Sequence, residues 1–583
     1  MSTHDIEPQH RTESISQGAL RRAVKSAVGG RRSLLHVVMG LLATSLSASV
    51  NAAPAAVFPP IFRLQSLKPN FGGDGSLGSI LRGKDKDEEA GDALGGVSDA
   101  GDVNGDGLDD LIIGAPAPYE GFGGAYVVFG STSGFPALLE LADLRETRGG
   151  DGSKGFYLRG FHVDGFAGYS VSGAGDVNAD GFDDLIIGAP AVPDGDLDSA
   201  GECYIVFGRA KFPATLPLQT LLPAFGGDGS AGVILKGEDD KDATGYKLGV
   251  SSAGDVNNDG IDDVIVGAIR GKSFVVYGRT TRFPAILELS SLDPAFGGDG
   301  TAGFMLDDFG TGNDGIAVSN AGDINDDGVA DLIVHAKSGG ADNNAAYVLF
   351  GRTAGFPALV PLRRLEPEFG GTGRAGFVIR EIAHGYATGY SLSAAGDING
   401  DGIDDLLLGA RAADQDGSDD VGESYVVFGR ADFPAAFELN ELQPEFGGDG
   451  SEGFILEGVS PFDQTGYSVS GVEDVDGDGI DDLLIGAPGG GYPAGECYLV
   501  FGRTTGFPAI FELARLYPRQ GGDGRKGSII VGVNDGHRVA GRAVSGAGDV
   551  NGDGVADLLV GGAGGGDYER AAGQAYLVFG RSP

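Results

Sequence analysis

Residues 176–184 read Asp-Val-Asn-Ala-Asp-Gly-Phe-Asp-Asp, and this pattern, Asp-x-Asn-x-Asp-Gly-x-x-Asp in outline, recurs seven times along the chain. The copies are 68 to 79 residues apart and begin at Asp102, Asp176, Asp255, Asp323, Asp397, Asp474 and Asp549. A repeat of this length indicates one closed array of similar units, because each unit needs its neighbours to bury its apolar surface. We therefore do not divide the 583 residues into several ordinary domains.

Four apolar segments accompany each copy of the pattern. In the second unit they are residues 171–177, 183–190, 203–208 and 232–237. Each is short, rich in β-branched and aromatic residues and bounded by glycine, which is typical of buried strands. Four strands per unit and seven units predict an all-β fold, a seven-bladed β-propeller of four-stranded antiparallel blades.

The order of the segments predicts how the ring closes. The first predicted strand, residues 78–83, belongs to the fourth type, and the last strand, residues 575–580, belongs to the third type. The last blade therefore lacks an outer strand, and the N-terminal strand supplies it. This closure removes the open sheet edges that an unclosed array exposes.

The repeated pattern predicts a metal-binding loop between the first and second strands. Oxygen donors at positions 1, 3 and 5, a glycine at position 6 and a backbone carbonyl at position 7 suit calcium. An EF-hand begins in the same way, but its glutamate at position 12 is replaced here by an apolar strand residue. Metal-free turns are the disfavoured alternative, because carboxylates packed so closely repel one another.

A comparison of the seven copies identifies the last ligand. Position 8 is Asp in five copies but Ala330 and Ala556 in two, whereas position 9 is Asp in all seven. We therefore expect up to seven Ca²⁺ ions, held by positions 1, 3, 5 and 9. The predicted ligands are Asp102, Asn104, Asp106, Asp110, Asp176, Asn178, Asp180, Asp184, Asp255, Asn257, Asp259, Asp263, Asp323, Asn325, Asp327, Asp331, Asp397, Asn399, Asp401, Asp405, Asp474, Asp476, Asp478, Asp482, Asp549, Asn551, Asp553 and Asp557.

The repeats resemble the FG-GAP repeats of the integrin α-chain propeller and their bacterial relatives. The residues that carry the resemblance in the second unit are Val171-Ser172, the loop Asp176–Asp184 and Ile187-Gly188-Ala189-Pro190. The resemblance implies a seven-bladed propeller with calcium in the loops, often in secreted or cell-surface adhesion proteins. This chain departs from integrins in having the loop in all seven units.

The N-terminus predicts export. Residues 1–52 combine a basic stretch, an apolar run from Leu34 to Leu46 and small residues near Ala52, as in a removed signal peptide. Arg31-Arg32 also resembles a twin-arginine signal, and both export routes stay open. We place the mature propeller at residues 53–583, with no transmembrane segment, in the periplasm, on the cell surface or in the medium. The net charge of −42 argues against a nucleic-acid partner.

Function is predicted to lie on the face opposite the metal loops. A spacer of constant length joins the third and fourth strands. Because the strands of a blade run antiparallel, this spacer emerges on the same face as the metal loops, and that face is uniform. Its Gly-Gly-Asp-Gly end is predicted to be either a plain turn or an extra metal ligand. The loops of the opposite face vary, and variable loops on a rigid scaffold favour recognition. The longer variable loops are residues 84–93, 117–124, 191–202, 412–423 and 564–574, and the candidate contacts are Tyr119, Phe122, Phe161, His162, Phe166, Tyr386 and Tyr568.

These features predict a calcium-stabilised adhesion module for an extracellular protein or glycan, without catalytic residues. The alternative is an extracellular hydrolase, for example one acting on polysaccharide, with its site on the variable face. We find no nucleophile elbow, zinc motif or phosphate-binding loop in the sequence. Cys203 and Cys497 occupy equivalent strand positions and are predicted to be small buried residues.

Overall fold

The repeats fold as seven sheets, one per unit, in the computed structural model, which confirms the predicted seven-bladed all-β propeller. The structure describes residues 58–582 apart from 84–95, 117–120, 193–198, 239–242, 247–248, 269–270, 308–316, 338–343, 382–387, 415–419, 492–493, 534–537 and 565–572. These residues belong to one unit, Pro54–Pro583. The predicted signal peptide, residues 1–52, lies outside the described residues.

Blades are numbered here by their metal loops, so that blade 1 contains loop 1, which begins at Asp102. The first, inner strands of blades 1 to 7 are Val97–Gly101, Ser170–Gly175, Val250–Gly254, Val318–Gly322, Thr388–Gly396, Ser468–Val472 and Arg538–Gly548. The second strands are Asp110–Ala115, Asp184–Ala189, Asp263–Ala268, Asp331–Lys337, Asp405–Ala410, Asp482–Ala487 and Asp557–Gly564. The third strands are Gly124–Val128, Glu202–Val206, Lys272–Val276, Asn344–Leu349, Glu423–Val427, Glu496–Val500 and Gln574–Val578. The fourth strands are Gly155–Arg159, Gly232–Lys236, Gly303–Asp307, Gly376–Arg380, Gly453–Glu457, Gly527–Val531 and, for blade 7, Gly78–Arg82.

Each sheet also has a fifth strand, which corrects the predicted count of four. It is three residues long, pairs in parallel with the fourth strand, and comes from the spacer of the next blade. A spacer therefore joins the outer edge of the preceding blade before it returns to its own. The fifth strands of blades 1 to 7 are Thr215–Pro217, Ile286–Glu288, Leu359–Pro361, Ala436–Glu438, Ile510–Glu512, Ile61–Arg63 and Leu138–Glu140.

The rest of each spacer is a pair of 3₁₀ helices. In chain order the first of each pair is Leu64–Leu67, Leu141–Leu144, Leu218–Leu221, Leu289–Leu292, Leu362–Leu365, Leu439–Leu442 and Leu513–Leu516. The second is Pro69–Phe71, Glu146–Arg148, Pro223–Phe225, Pro294–Phe296, Pro367–Phe369, Pro444–Phe446 and Pro518–Gln520. The leucines that begin and end each first helix are buried, so the spacer is a packed part of the blade.

A repeated aromatic stack fastens the start of each spacer. Phe212 stacks on Phe156 of the fourth strand of blade 1 with ring centroids 4.1 Å apart, and the Arg209 guanidinium lies 4.7 Å from the Phe212 centroid. Similar phenylalanine pairs occur in blades 3, 4 and 5. Cation–π contacts of this kind add to the apolar burial of the ring.

The core lies between neighbouring blades. Leu185 and Ile187 of the second strand of blade 2 pack with residues of blade 1 such as Ile112, whereas the intervening Ile186 packs with Val264 of blade 3. Because both faces of each middle strand are buried, its sequence is apolar throughout instead of alternating. Among the described residues no helix has the length and apolar character needed to cross a bilayer.

The predicted closure is confirmed. Gly78–Arg82 pairs antiparallel with Gln574–Val578 and so completes blade 7. A second closure, which the sequence did not reveal, is made by Ile61–Arg63, paired in parallel with Ile529–Val531 of blade 6. The N-terminal residues therefore complete two adjacent sheets.

Candidate metal centres and binding surface

Loop 2 shows the local structure of the metal loops. The Asp176 carboxylate at position 1 accepts the backbone N–H groups of Asp180 and Gly181, at 3.0 Å and 2.8 Å, one on each oxygen. Gly181 has φ +92°, a left-handed conformation that strains any residue with a side chain. Asp180 at position 5 accepts the N–H of Phe182 at 3.1 Å. These bonds wind the loop around its first carboxylate, and the bonds to position 1 recur in all seven loops.

Position 9 is the buried member of each loop. The Asp184 carboxylate is fully buried and accepts the N–H groups of Val177, at 3.1 Å, and of Gly208, just after the third strand, at 2.8 Å. Burial raises the pKa of Asp184 to about 9, with a smaller contribution from the nearby charges of Asp176 and Asp180 and against the effect of the two N–H groups. Burial is also the largest cause of the raised pKa values at position 9 of the other loops, which are those of Asp110, Asp263, Asp331, Asp405, Asp482 and Asp557.

Position 3 lies next to position 9, as the predicted ligand set requires. In loop 2 the side-chain amide nitrogen of Asn178 is 3.5 Å from an oxygen of Asp184, and the equivalent contact is seen in loops 1, 3, 4 and 7. A half-turn of the amide presents its oxygen to the same point.

Loop 6 tests whether these residues fit a cation. Aspartate replaces asparagine at position 3, so that oxygens of Asp474, Asp476 and Asp482 all lie within 4.8 Å of one another. Burial, with a smaller contribution from repulsion by Asp478 and Asp474, raises the pKa of Asp476 to about 6. Three carboxylates at this distance repel one another unless a positive charge lies between them. The residues present therefore fit a bound cation with oxygen ligands.

The Gly-Gly-Asp-Gly ends of the spacers form plain turns in the described residues. Asp228, for example, accepts the backbone N–H and the hydroxyl of Ser230, at 3.0 Å and 2.6 Å. The same arrangement holds at Asp74, Asp151 and Asp299. One carboxylate oxygen is therefore engaged by its own turn, which favours the turn over an extra metal site.

The predicted contacts of the variable face are only partly described. Phe122 is 47% exposed. Phe161 is half-buried, with its ring centroid 4.1 Å from that of His162, and the His162 Nε2 atom is 3.6 Å from the Glu202 carboxylate. Burial lowers the pKa of His162. Phe166 is half-buried. Tyr119, Tyr386, Tyr568 and residues 84–93 lie outside the described residues, as do parts of the other long loops.

Four tyrosines that the sequence analysis missed converge on this face. Each follows a glycine: Tyr390 lies near the start of the inner strand of blade 5, and Tyr169, Tyr246 and Tyr467 precede the inner strands of blades 2, 3 and 6. The inner strands of all seven blades line one cavity of about 130 Å³, mostly with valine and serine side chains. The rings of Tyr169 and Tyr246 are stacked, with centroids 5.0 Å apart, and those of Tyr390 and Tyr467 are 5.6 Å apart. The two pairs are close enough for Tyr390 and Tyr467 to raise the pKa of Tyr169, in addition to the larger effect of burial.

These four residues, here called the axial tyrosine cluster, lie at or just before the starts of four inner strands, next in sequence to residues that line the axial cavity. The guanidinium of Arg411 lies 4.2 Å from the Tyr390 ring centroid and 5.5 Å from that of Tyr467. Arg411 stands where the corresponding turns of blades 1, 2 and 6 have proline. The repeated Gly-Tyr pair and this departure from the repeat are the sequence signals for the cluster.

The two cysteines behave as predicted. Cys203 and Cys497 are both buried and neither forms a disulfide. Burial raises the pKa of both thiols, so they remain protonated and poorly nucleophilic.

Comparisons with known proteins agree with this geometry. Residues 94–128, 167–206, 388–427 and 465–500 match the FG-GAP repeat. Integrin alpha pat-2 of Caenorhabditis elegans is 30% identical over 262 residues, which are 43% of this chain and 18% of the integrin. Integrin alpha-5 of Xenopus laevis is 30% identical over 30% of this chain and 14% of its own length.

A relative of a different kind also matches. Phosphatidylinositol-glycan-specific phospholipase D of Mus musculus is 34% identical over 122 residues, 20% of this chain and 13% of the phospholipase. The chain thus spans less than a fifth of the length of each of these relatives. The chain carries four FG-GAP repeats and is similar in sequence to the integrin α chains over part of its length.

Proposed function

We propose that this integrin-α-like FG-GAP propeller is an exported, calcium-binding module that recognises an extracellular protein or glycan with its variable face. The observation that carries the proposal is the contrast between the two faces. Metal loops and spacers repeat almost unchanged around one face, whereas the loops of the other differ and its axis carries the axial tyrosine cluster. Binding residues commonly occupy variable loops held by a rigid scaffold.

Calcium is the proposed ion for all seven loops. Positions 1, 3, 5 and 9 offer oxygen atoms only, and carboxylates predominate, which is the donor set that calcium prefers. The buried carboxylate at position 9 and the three clustered carboxylates of loop 6 support a bound cation. Bound calcium would supply the positive charge that these carboxylates need. The loop residues then hold the start of the second strand against the end of the first.

The axial tyrosine cluster is the proposed centre of the recognition surface. Tyrosine rings offer flat apolar faces with hydroxyl groups at their edges, and Arg411 adds a guanidinium with several donors. Such a surface suits a sugar ring or the side chains of a peptide. The half-exposed Phe122 offers a further contact on a neighbouring loop.

The hydrolase alternative has one observation in its favour. On the variable face of blade 6, Asp463 and Glu496 are both buried, and the Glu496 carboxylate accepts the hydroxyl groups of Tyr498 and Tyr517. Burial, with a smaller contribution from the charge of Glu496, raises the pKa of Asp463 to about 6. A coupled carboxyl pair of this kind occurs in glycosidases.

The proposal is tested by a glycan array and an array of extracellular proteins, each probed with the mature chain in calcium and in EGTA. We expect a ligand that binds in calcium and is released without chemical change. Turnover of the ligand that is lost in Asp463→Asn would instead establish the hydrolase.

Removal of one calcium site is expected to lower stability without affecting recognition. Asp259→Ala removes a ligand at position 5 of loop 3, so native mass spectrometry should count one calcium fewer. The melting temperature should fall, because a site at a hundredfold excess of calcium contributes about 2.7 kcal/mol to folding. Asp259→Asn is the matched control, since it keeps an acceptor for the Ile261 N–H, 3.1 Å from Asp259 in the native loop. Loss of ligand binding well below the melting temperature would contradict a purely structural role for the loop.

A change in the axial tyrosine cluster is expected to have the opposite effect. Arg411→Pro introduces the residue that blade 2 has at this position. There Pro190 lies in an equivalent turn, which is closed by a backbone hydrogen bond to the carbonyl of Ala189. Stability should therefore change little, while loss of the guanidinium weakens ligand binding by about 1 kcal/mol or more, the scale of an interface anchor. Phe161→Ala with Phe166→Ala tests a neighbouring loop in the same assay.

Controls on the metal-loop face test which surface binds. Phe225 and Phe446, at the ends of spacer helices, are 58% and 62% exposed. Substituting them by alanine should leave affinity unchanged. If the binding energy instead lies on these two phenylalanines, recognition belongs to the metal-loop face and our assignment is wrong.

A further inference from the structure

Position 8 of the metal loops, which is not a predicted ligand, links each loop to its neighbour. The Asp183 carboxylate of loop 2 accepts the backbone N–H of Asp102, position 1 of loop 1, at 2.8 Å. Asp262 of loop 3 accepts the N–H of Asp176 in loop 2 at 3.0 Å. The same bond joins loop 4 to Asp404, loop 5 to Asp481, and loop 7 to Asp109 across the ring closure.

The glycine before each linked loop shows how close this contact is. A Cβ atom built on Gly101 would lie 2.3 Å from a carboxylate oxygen of Asp183, and one on Gly175 would lie 2.4 Å from an oxygen of Asp262. Both glycines also have φ near +70°. The glycine at this position therefore makes room for the aspartate of the next blade.

Two of the seven links are missing. The partner of loop 3 is Ala330 and the partner of loop 6 is Ala556, and alanine has no oxygen to accept the N–H. Another bond between neighbouring blades is present at both places: the position 2 carbonyls of loops 3 and 6 accept the N–H groups of Arg352 and Arg581, both at 2.9 Å. That bond recurs at all seven interfaces, so the two exceptional interfaces lack specifically the side-chain link.

We propose that these aspartates couple the calcium sites into two groups, loops 7, 1, 2 and 3 and loops 4, 5 and 6. The inference rests on the proposed calcium binding. Within a group, the aspartate at position 8 directly precedes the buried ligand at position 9 of its own loop. Its carboxylate also accepts the backbone N–H of the ligand at position 1 of the preceding loop. An ion in one loop therefore fixes a positioning residue for the preceding loop and raises its affinity.

The coupling has a direction that a simple loss of stability would not show. Asp183→Ala should weaken the calcium site of loop 1 about tenfold, as removal of a residue that orients a metal ligand commonly does. Its own loop 2 keeps all four predicted ligands and should be less affected. The chain already contains alanine at this position in two loops, so the variant is expected to fold, and its circular dichroism in saturating calcium checks this.

Double variants assign the weakened site. In Asp106→Ala, which removes a ligand of loop 1, adding Asp183→Ala should weaken none of the remaining sites tenfold. In Asp180→Ala, which removes a ligand of loop 2, loop 1 should already bind calcium more weakly, and adding Asp183→Ala should weaken it further by less than tenfold. Asp183→Asn retains an acceptor oxygen and should restore the affinity of loop 1. All affinities are measured by calorimetric calcium titration of the mature chain.

A gain of coupling provides the complementary test. Ala330→Asp should create the missing link between loops 3 and 4, because Gly254 lies against this position: a Cβ atom built on Gly254 would be 2.7 Å from the Ala330 Cβ. The two groups then become one, and the calcium titration should become steeper. Ala556→Asp is the matched control, since the residue before loop 6 is Glu473 instead of glycine, and we expect no added cooperativity.

The outcomes separate this inference from the proposed function. If the unaltered chain binds no calcium, both are overturned. If it binds calcium but Asp183→Ala weakens loop 2, or no loop, the coupling is overturned and calcium binding stands. An unchanged titration for Ala330→Asp would likewise overturn the coupling.

Discussion

Removing calcium with EGTA is expected to lower the melting temperature of the mature protein by more than about 10 °C. Ions that bind only the folded loops stabilise the folded state by about 2.7 kcal/mol per site at a hundredfold excess over the dissociation constant. Seven sites in one ring of blades then contribute on the order of 20 kcal/mol, and each kcal/mol is worth about a degree or more of melting temperature in a large domain. Differential scanning calorimetry in calcium and in EGTA measures the change.

Two further measurements test whether the change in melting temperature is due to calcium in the loops. Magnesium should restore the melting temperature poorly, because it requires a smaller and stricter octahedral site than calcium. The variant Asp259→Ala should show a smaller response to EGTA than the unaltered chain, since it has one site fewer. A melting curve that EGTA does not move would exclude calcium from the loops.

The buried aspartates also predict how pH acts on the calcium-free protein. The pKa of Asp184 is about 9 in the folded chain and near 3.8 when it is unfolded, so the folded state binds the extra proton between these values. Stability of the calcium-free protein therefore falls as pH rises through this window. The effect of EGTA on the melting temperature should accordingly be larger at pH 8 than at pH 6.

Internal repetition made most of the fold predictable. Seven copies of one unit identify which positions tolerate change, and that comparison gave the four main strands, the loops and the closure by residues 78–83. The fifth strand was missed because it is only three residues long, as in Thr215–Pro217, and pairs with a different blade. Its sequence has no periodicity of its own, so nothing local distinguishes it from the rest of the spacer.

The contacts between blades were the other part that the sequence could not reveal. Position 8 looked dispensable because Ala330 and Ala556 replace its aspartate, yet Asp183 bonds to a residue 81 positions away. The axial tyrosine cluster escaped for the same reason, since four separate blades each contribute one residue. The exposure of the spacer phenylalanines has a local cause: Phe225 ends a short 3₁₀ helix, and Gly226 follows it with φ +97°.

Deleting residues 53–83 is expected to destabilise the propeller severely, because these residues complete two sheets. The deletion removes Ile61–Arg63 from blade 6 and Gly78–Arg82 from blade 7, and with them Phe58, Phe62 and Leu81, all buried. Each fully buried apolar side chain contributes roughly 1.5–3 kcal/mol, so the loss is on the order of 10 kcal/mol. The exposed edges should also promote aggregation, which light scattering detects.

A circular permutation tests whether the loss of stability comes from the two closing strands. In blade 6, Phe507 begins the spacer six positions after Phe501, which follows the third strand. One glycine inserted between Pro583 and Phe58 places Phe58 at the same distance from Phe579. A chain that runs from residue 84 to 583, then through this glycine into residues 58–83, keeps both closing strands in the register of the other repeats. We expect it to recover most of the melting temperature that the deletion loses. If the deleted chain instead melts within a degree or two of the full mature protein, the N-terminal strands do not hold the ring closed.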